Sequence, residues 1–260
     1  MQLGFLTDGR VDDVAFAARE GFACLELALF GDTPLFDDHA AFRRALADSG
    51  VALAAVSLFG QDYGAPNPSE AETRRVRLRR TIDLARDLGA PIVVFGTGSG
   101  WVGERPGMQV DQACEAMRPL VAHAQASDLR VAWYNCHWEN VIDRPEAWER
   151  ALPRFPGVGV KFDPSHPIQA GRDWKAELLA AGPHLMHAHA KDVLRVGGRF
   201  VSDPNPGLGD IRWEEFFGIL YHVGYDGAVC IEPHSPLYTG ERRHDFLKLS
   251  GRYLRRFFTE

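Results

Sequence analysis

Eight short apolar runs recur along the 260-residue chain, at residues 2–6, 24–27, 52–56, 91–95, 130–134, 158–162, 185–190 and 227–231. Longer segments of helical period separate them, clearest at 38–49, 73–88, 110–127 and 213–223. Runs of four to six residues followed by a Gly-, Asp- or Pro-containing turn and an amphipathic stretch are the repeat of a parallel βα fold. A strand such as PIVVF is apolar at every position, as expected of a sheet covered on both faces. An open doubly wound sheet has the same alternation. Eight units in a chain of this length, without a Gly-rich nucleotide turn after the first run, favour closure into a (β/α)8 TIM barrel, expected as a single domain over residues 1–260.

Helix starts carry their own signals. Ser69 and Glu72 have capping-box spacing, and Asp38 and Asp111 are placed to cap or charge a first turn. The longest irregular stretch, residues 194–211, contains GG, DPNP and GLG and is expected as a loop over a site.

Charge narrows the function classes. The chain carries 29 basic and 35 acidic residues, a net charge of −6, with no basic run suited to a phosphate backbone or an anionic membrane. No run of about 18 apolar residues and no signal-peptide pattern is present, so the expectation is a cytoplasmic protein without nucleic-acid or membrane partners, and a homo-oligomer is compatible with it. Cys24, Cys114, Cys136 and Cys230 are far apart and form no C-x-x-C pair, which argues against a disulfide framework or a thiolate metal site.

In a barrel of this kind chemistry gathers where strands end. The fifth run ends in Tyr134-Asn135-Cys136-His137-Trp138-Glu139, the sixth in Asp163-Pro-Ser-His166, the seventh in His187-Ala-His189-Ala-Lys191-Asp192 and the eighth in Glu232-Pro-His234. Residues two apart on a strand share a face, so His187, His189 and Lys191 go together. If that face is the interior, an imidazole from this strand, Asp163 and Glu232 converge on a mixed N/O ligand set suited to Mn, Zn, Co, Fe or, less well, Mg. Taken singly the same residues have plainer readings: Asp163 organising a turn, a histidine bonded structurally, Lys191 and Asp192 forming a solvated pair. Glu26 points into the barrel top in one register and into the helix layer in the other. Phe59, Tyr63, Trp101, Trp133 and Trp138 lie near strand ends and can wall a sugar-like pocket, although half of them are expected to be ordinary core.

At these residues the chain resembles the sugar phosphate isomerase/epimerase superfamily, the xylose-isomerase-like TIM barrels that include relatives of endonuclease IV. The resemblance runs through LGFLTDG, EGFACLELALF and DLGAPIVVF and is most specific in FDPSHPIQAGRDW, HAHAKDV, NPGLGDIRW and VGYDGAVCIEPHSP. It implies a divalent metal held by a Glu after strand five, Asp163, His189 and Glu232, with a proton removed next to a carbonyl and an enediolate intermediate. Glu232 would be both ligand and base, Lys191 would hold a phosphate or an enolate oxygen, and His166 would contact a small sugar-like substrate. The chain departs from the family at the strand-five Glu, where VAWYNC places Tyr134.

Three readings of Tyr134 stay open. It ligates or donates a hydrogen bond while His137, Glu139 or His166 completes the coordination; the enzyme works with one base; or the site has lost activity. His187 and His234 are expected to orient ligands or contact substrate. The leading function is a metal-dependent sugar isomerase or epimerase. The alternatives are a dehydratase or lyase acting on a cyclitol or keto acid, and a noncatalytic sugar-binding barrel. A DNA-repair role is disfavoured by the acidic charge and the smaller ligand set.

Overall fold

The computed structural model describes residues 1–101, 103, 105–138 and 140–259. Eight parallel strands close into a barrel: β1 (Gln2–Thr7), β2 (Cys24–Leu29), β3 (Ala52–Leu58), β4 (Ile92–Phe95), β5 (Arg130–Tyr134), β6 (Val158–Phe162), β7 (Leu185–Ala190) and β10 (Ala228–Ile231). Each pairs with its neighbour in the chain, and β10 closes the ring on β1 through Gln2↔Ala228 to Phe5↔Ile231. All eight apolar runs are therefore barrel strands, with β2 and β3 each two residues longer than expected.

The irregular stretch after β7 holds further structure, because β8 (Leu194–Val196) and β9 (Arg199–Ser202) form an antiparallel hairpin. Its turn is Gly197-Gly198, both at positive φ (59° and 77°), the conformation a two-residue hairpin turn requires. Asp192 ties down both ends of this loop. Its carboxylate accepts from the backbone N–H of Val193, Gly207, Gly209 and Ile211 and from the Trp213 indole, at 2.9–3.2 Å. The plainer reading of Lys191 and Asp192 as a solvated pair does not hold, because Asp192 is a buried loop organiser.

Two expected helix caps differ. The long helix Pro68–Leu88 begins before Ser69; Asn67 caps it, accepting from Ser69 N at 3.0 Å, with Pro68 in the first turn. Glu72 instead faces Arg79 and Arg75 at 3.0 and 3.7 Å. The helix Pro106–Ala126 also starts earlier than expected, so Asp111 lies past the first turn and pairs with Arg150 and Arg154 at 2.5 and 2.6 Å. Asp38 does serve the next helix start, accepting from Ala40 N at 3.1 Å.

Alternation along each strand splits the chain between two environments. Val158, Val160 and Phe162 of β6, Ala188 and Ala190 of β7, and Val229 and Ile231 of β10 join the large apolar core between barrel and helices. The intervening residues face the barrel axis, where apolar packing is limited to small clusters such as Leu6, Cys24, Ala28 and Cys230. The remaining interior positions are strongly polar. No helix among the described residues is long and apolar enough to cross a membrane.

Candidate metal and substrate site

Glu26 points into the barrel and is fully buried, which settles its register. Its Oε2 lies 2.6 Å from His187 Nε2 and 2.7 Å from His189 Nε2, and Ser57 Oγ donates to Oε1. Burial alone would raise the Glu26 carboxyl, but the two imidazoles outweigh it and hold the group well below the usual carboxylate range. With Glu26 ionised, both Nε2 atoms act as donors. Burial keeps His187 below the ordinary histidine value, and its other nitrogen has no partner among the described residues, so a neutral ring fits.

His189 is thereby fixed with Nδ1 facing the C-terminal mouth, 2.7 Å from Glu232 Oε2. Asp163, just past β6, completes the group. The ligand-capable atoms of Asp163, His189 and Glu232 all lie within 4.8 Å of one another. Asn135 positions Asp163 by clamping its backbone, donating to Asp163 O at 3.0 Å and accepting from Asp163 N at 2.9 Å. Asp163 Oδ1 accepts from Ser165 N at 2.8 Å, whereas Oδ2 is buried without a hydrogen-bond partner among the described residues. Lys191 Nζ is near, at 3.4 Å, but without hydrogen-bond geometry.

A buried carboxylate oxygen left open beside a second carboxylate and an oriented imidazole fits a divalent cation. Glu26, Ser57 and His187 form a further acid–imidazole group beneath it. Their short direct hydrogen bonds mark them as support for His189, and no separate ion is needed to explain them.

Lys191 bridges the two upper carboxylates, 3.2 Å from Glu232 Oε1 as well as 3.4 Å from Asp163. Burial would lower it, but Asp163 and Glu232 win and raise it, so it stays protonated. Burial would likewise raise both acids; Lys191, with Lys161, outweighs it at Asp163 and lowers that carboxyl, and Lys191 with His189 holds Glu232 well below its usual range. His166 is buried and kept neutral by desolvation, with Nε2 3.7 Å from Asp163 Oδ2. The His137 ring lies 5.5 Å from that of His166 and is also lowered by burial.

Tyr134 lines the cavity beside Lys161, His166 and Glu232. Its ring packs 5.4 Å from that of Phe59 and lies over Gly96, where a Cβ would clash with the phenol oxygen. The side chain therefore leans toward β4. Asn140 pins this corner, donating to Tyr134 O at 2.5 Å and accepting from Thr97 N and Oγ1 at 3.0 and 2.6 Å. Glu139 lies outside the described residues. His234 is at the rim, its side chain 48% exposed and paired with Asp203 Oδ2 at 3.1 Å, and it lines the cavity with Glu232.

Among the expected wall aromatics, Tyr63 and Trp133 are fully buried core, and Trp101 donates its indole N–H to Thr97 O. Phe59 and Trp138 do line the cavity above the cluster, with Tyr134, Lys161, His166 and Glu232. The enclosed space is about 30 Å³, room for about one water, and a wider pocket of about 420 Å³, lined by Thr7, Arg10 and Arg243 among others, shares Phe30, Glu232 and His234 with it. Phe30 and Trp138, 68% and 46% exposed, form the outer wall of the enclosed space. A larger groove of about 900 Å³ lies on the flank, but its Arg144, Arg150 and Arg172 are all engaged by acidic side chains.

Lys161 is a site residue that none of the sequence motifs marks. It is 1% exposed, and its position two residues before Asp163 gives it the same inward parity, a signal obscured by the apolar strand around it.

Fold and site together define a (β/α)8 barrel with a buried carboxylate–imidazole centre at the C-terminal mouth. The chain belongs to the xylose isomerase-like TIM barrel family, whose model matches residues 14–252. A curated relative, the uncharacterized protein YfiH of Bacillus subtilis (strain 168), is 25% identical, the match covering 89% of this chain and 92% of that protein. Among solved structures, a xylose isomerase domain protein from Planctomyces limnophilus superposes with a TM-score of 0.80 at 18% identity, covering 98% of this chain and 96% of the other. D-psicose 3-epimerase with D-tagatose, from Clostridium cellulolyticum H10, superposes with a TM-score of 0.79 at 17% identity, over 99% of both chains.

Proposed function

We propose that this protein is a divalent-metal-dependent isomerase or epimerase of a sugar or sugar derivative, working by proton removal next to a carbonyl. The convergence of Asp163, His189 and Glu232, with Asp163 Oδ2 left open, carries the reading. Family membership and the fold shared with a protein named D-psicose 3-epimerase support it. Asp163, His189 and Glu232 would hold the metal, which when bound supplies Lewis-acid polarisation of neighbouring carbonyl and hydroxyl oxygens.

The chain's own groups supply the proton chemistry. Glu232 lines the cavity with its side chain 13% exposed, while Asp163 is wholly buried, so Glu232 is the carboxylate a substrate can reach. Held ionised by Lys191 and His189, it is ready to accept a proton at neutral pH. Lys191, kept protonated, is placed to stabilise negative charge developing on a substrate oxygen. His166, neutral, offers ring nitrogens to hydroxyls.

Tyr134, turned onto Gly96, is a phenol, and a phenol is a weaker candidate for a second base at neutral pH than a carboxylate. Among the described residues the cavity thus presents one carboxylate base, which favours proton transfer on a single face. Isomerisation by return of the proton to the same face meets that condition, and so does dehydration.

Incubation of the Mn²⁺-loaded protein with ketoses and aldoses in D₂O tests the reading. Isomerisation or epimerisation gives deuterium in a product of unchanged formula, lost on Glu232→Gln. A product lighter by water moves the assignment to a dehydratase, and no metal-dependent exchange with any sugar contradicts sugar proton-transfer chemistry.

A further inference from the structure

The ammonium of Lys161 has no hydrogen-bond acceptor among the described residues. Asp163 Oδ2 is 3.9 Å from Nζ, and the centre of the Phe59 ring is 5.6 Å away. Yet the side chain is almost completely buried and lines the cavity. An ammonium carries three donors and accepts nothing, so burying it with no acceptor within hydrogen-bond reach is costly even with a carboxylate at 3.9 Å.

The other interior charges are already answered. Glu26 is matched by His187 and His189, Glu232 by His189 and Lys191, and Asp163 by Ser165 N and Lys191, with Lys161 its more distant partner at 3.9 Å. A divalent ion at Asp163, His189 and Glu232 would join Lys161 and Lys191 against the three carboxylates Glu26, Asp163 and Glu232, leaving a net positive charge beside Lys161.

We infer that Lys161 is a substrate-contacting, specificity-determining residue that receives the anionic group, carboxylate or phosphate, of an acidic sugar. The inference rests on the sugar-enzyme reading of the same site and narrows its substrate class. A neutral ketose brings only hydroxyl dipoles to Nζ, whereas an acid supplies the missing counter-charge.

The test is isothermal titration of the full chain, with Mn²⁺ present, using D-fructose, D-fructose 6-phosphate and D-glucuronate as probes. At least one acid is expected to bind about tenfold or more tighter than fructose, the size of a charge-assisted contact. Glucuronate gaining alone identifies a carboxylate site, and fructose 6-phosphate gaining alone a phosphate site. The preference should vanish in Lys161→Met and in Lys161→Gln, a second neutral variant should the first not fold, and largely persist in Lys161→Arg. Equal binding of all three sugars, or a preference that survives the neutral variants, overturns the assignment of Lys161 while leaving the sugar-enzyme reading in place. Binding of none overturns both.

Discussion

Glu26 on β2 reaches across the barrel to accept a hydrogen bond from His189 Nε2 on β7 at 2.7 Å, and so turns His189 Nδ1 toward Glu232. A carboxylate behind a ligating imidazole fixes its tautomer and raises its basicity, and losing such a partner typically weakens metal binding about 10- to 100-fold. Glu26→Gln, which keeps the shape and removes the charge, is predicted to weaken Mn²⁺ binding by that order. Titration followed by electron paramagnetic resonance measures it. An unchanged affinity would mean that Glu26 serves packing alone.

The same pair sets a pH dependence. Burial would lower His189, but Glu26 and Glu232 outweigh it and raise it above the ordinary 6.5. Without metal, the stabilisation from charged His189 is fully present below about pH 6.5 and is lost as pH rises through the raised folded value. Metal binding runs the other way, because a cation needs the Nδ1 lone pair. Mn²⁺ affinity should climb about tenfold per pH unit and level off only above the ordinary histidine range, with the plateau reached at lower pH in Glu26→Gln. An affinity flat across this range would remove His189 from the ligand set.

Gly96 and Tyr134 form a second dependent pair, since a Cβ at residue 96 would collide with the phenol oxygen. Gly96→Ala is predicted to cost about 1–3 kcal/mol through overpacking. In the Tyr134→Leu background the same change should cost much less, giving a coupling energy in a double-mutant cycle by chemical denaturation. Additive effects would mean that the ring has another place to go.

Much of this architecture was legible in sequence because repeated apolar runs and turn residues report backbone periodicity directly. Asp163, His189 and Glu232 were legible because each directly follows a strand or lies at its end on a defined parity. Other features depend on contacts between distant segments. Glu26 gave no sign of which face it took until β2 was seen opposite β7, and Asn135 and Asn140 act by clamping backbone that local sequence does not reveal. Lys161 sits amid apolar residues, and only parity with Asp163 pointed inward. The cap at Asn67 was missed because Ser69 and Glu72 mimic a capping box two residues downstream of the true start.

Equilibrium dialysis of Mn²⁺ against metal-stripped protein tests most directly whether Asp163, His189 and Glu232 clasp one cation. One tight site per chain is predicted in the unaltered protein, lost in Asp163→Ala and in His189→Ala, each still folded by circular dichroism. An absence of stoichiometric binding, or a tight site that survives both substitutions, would contradict the assignment.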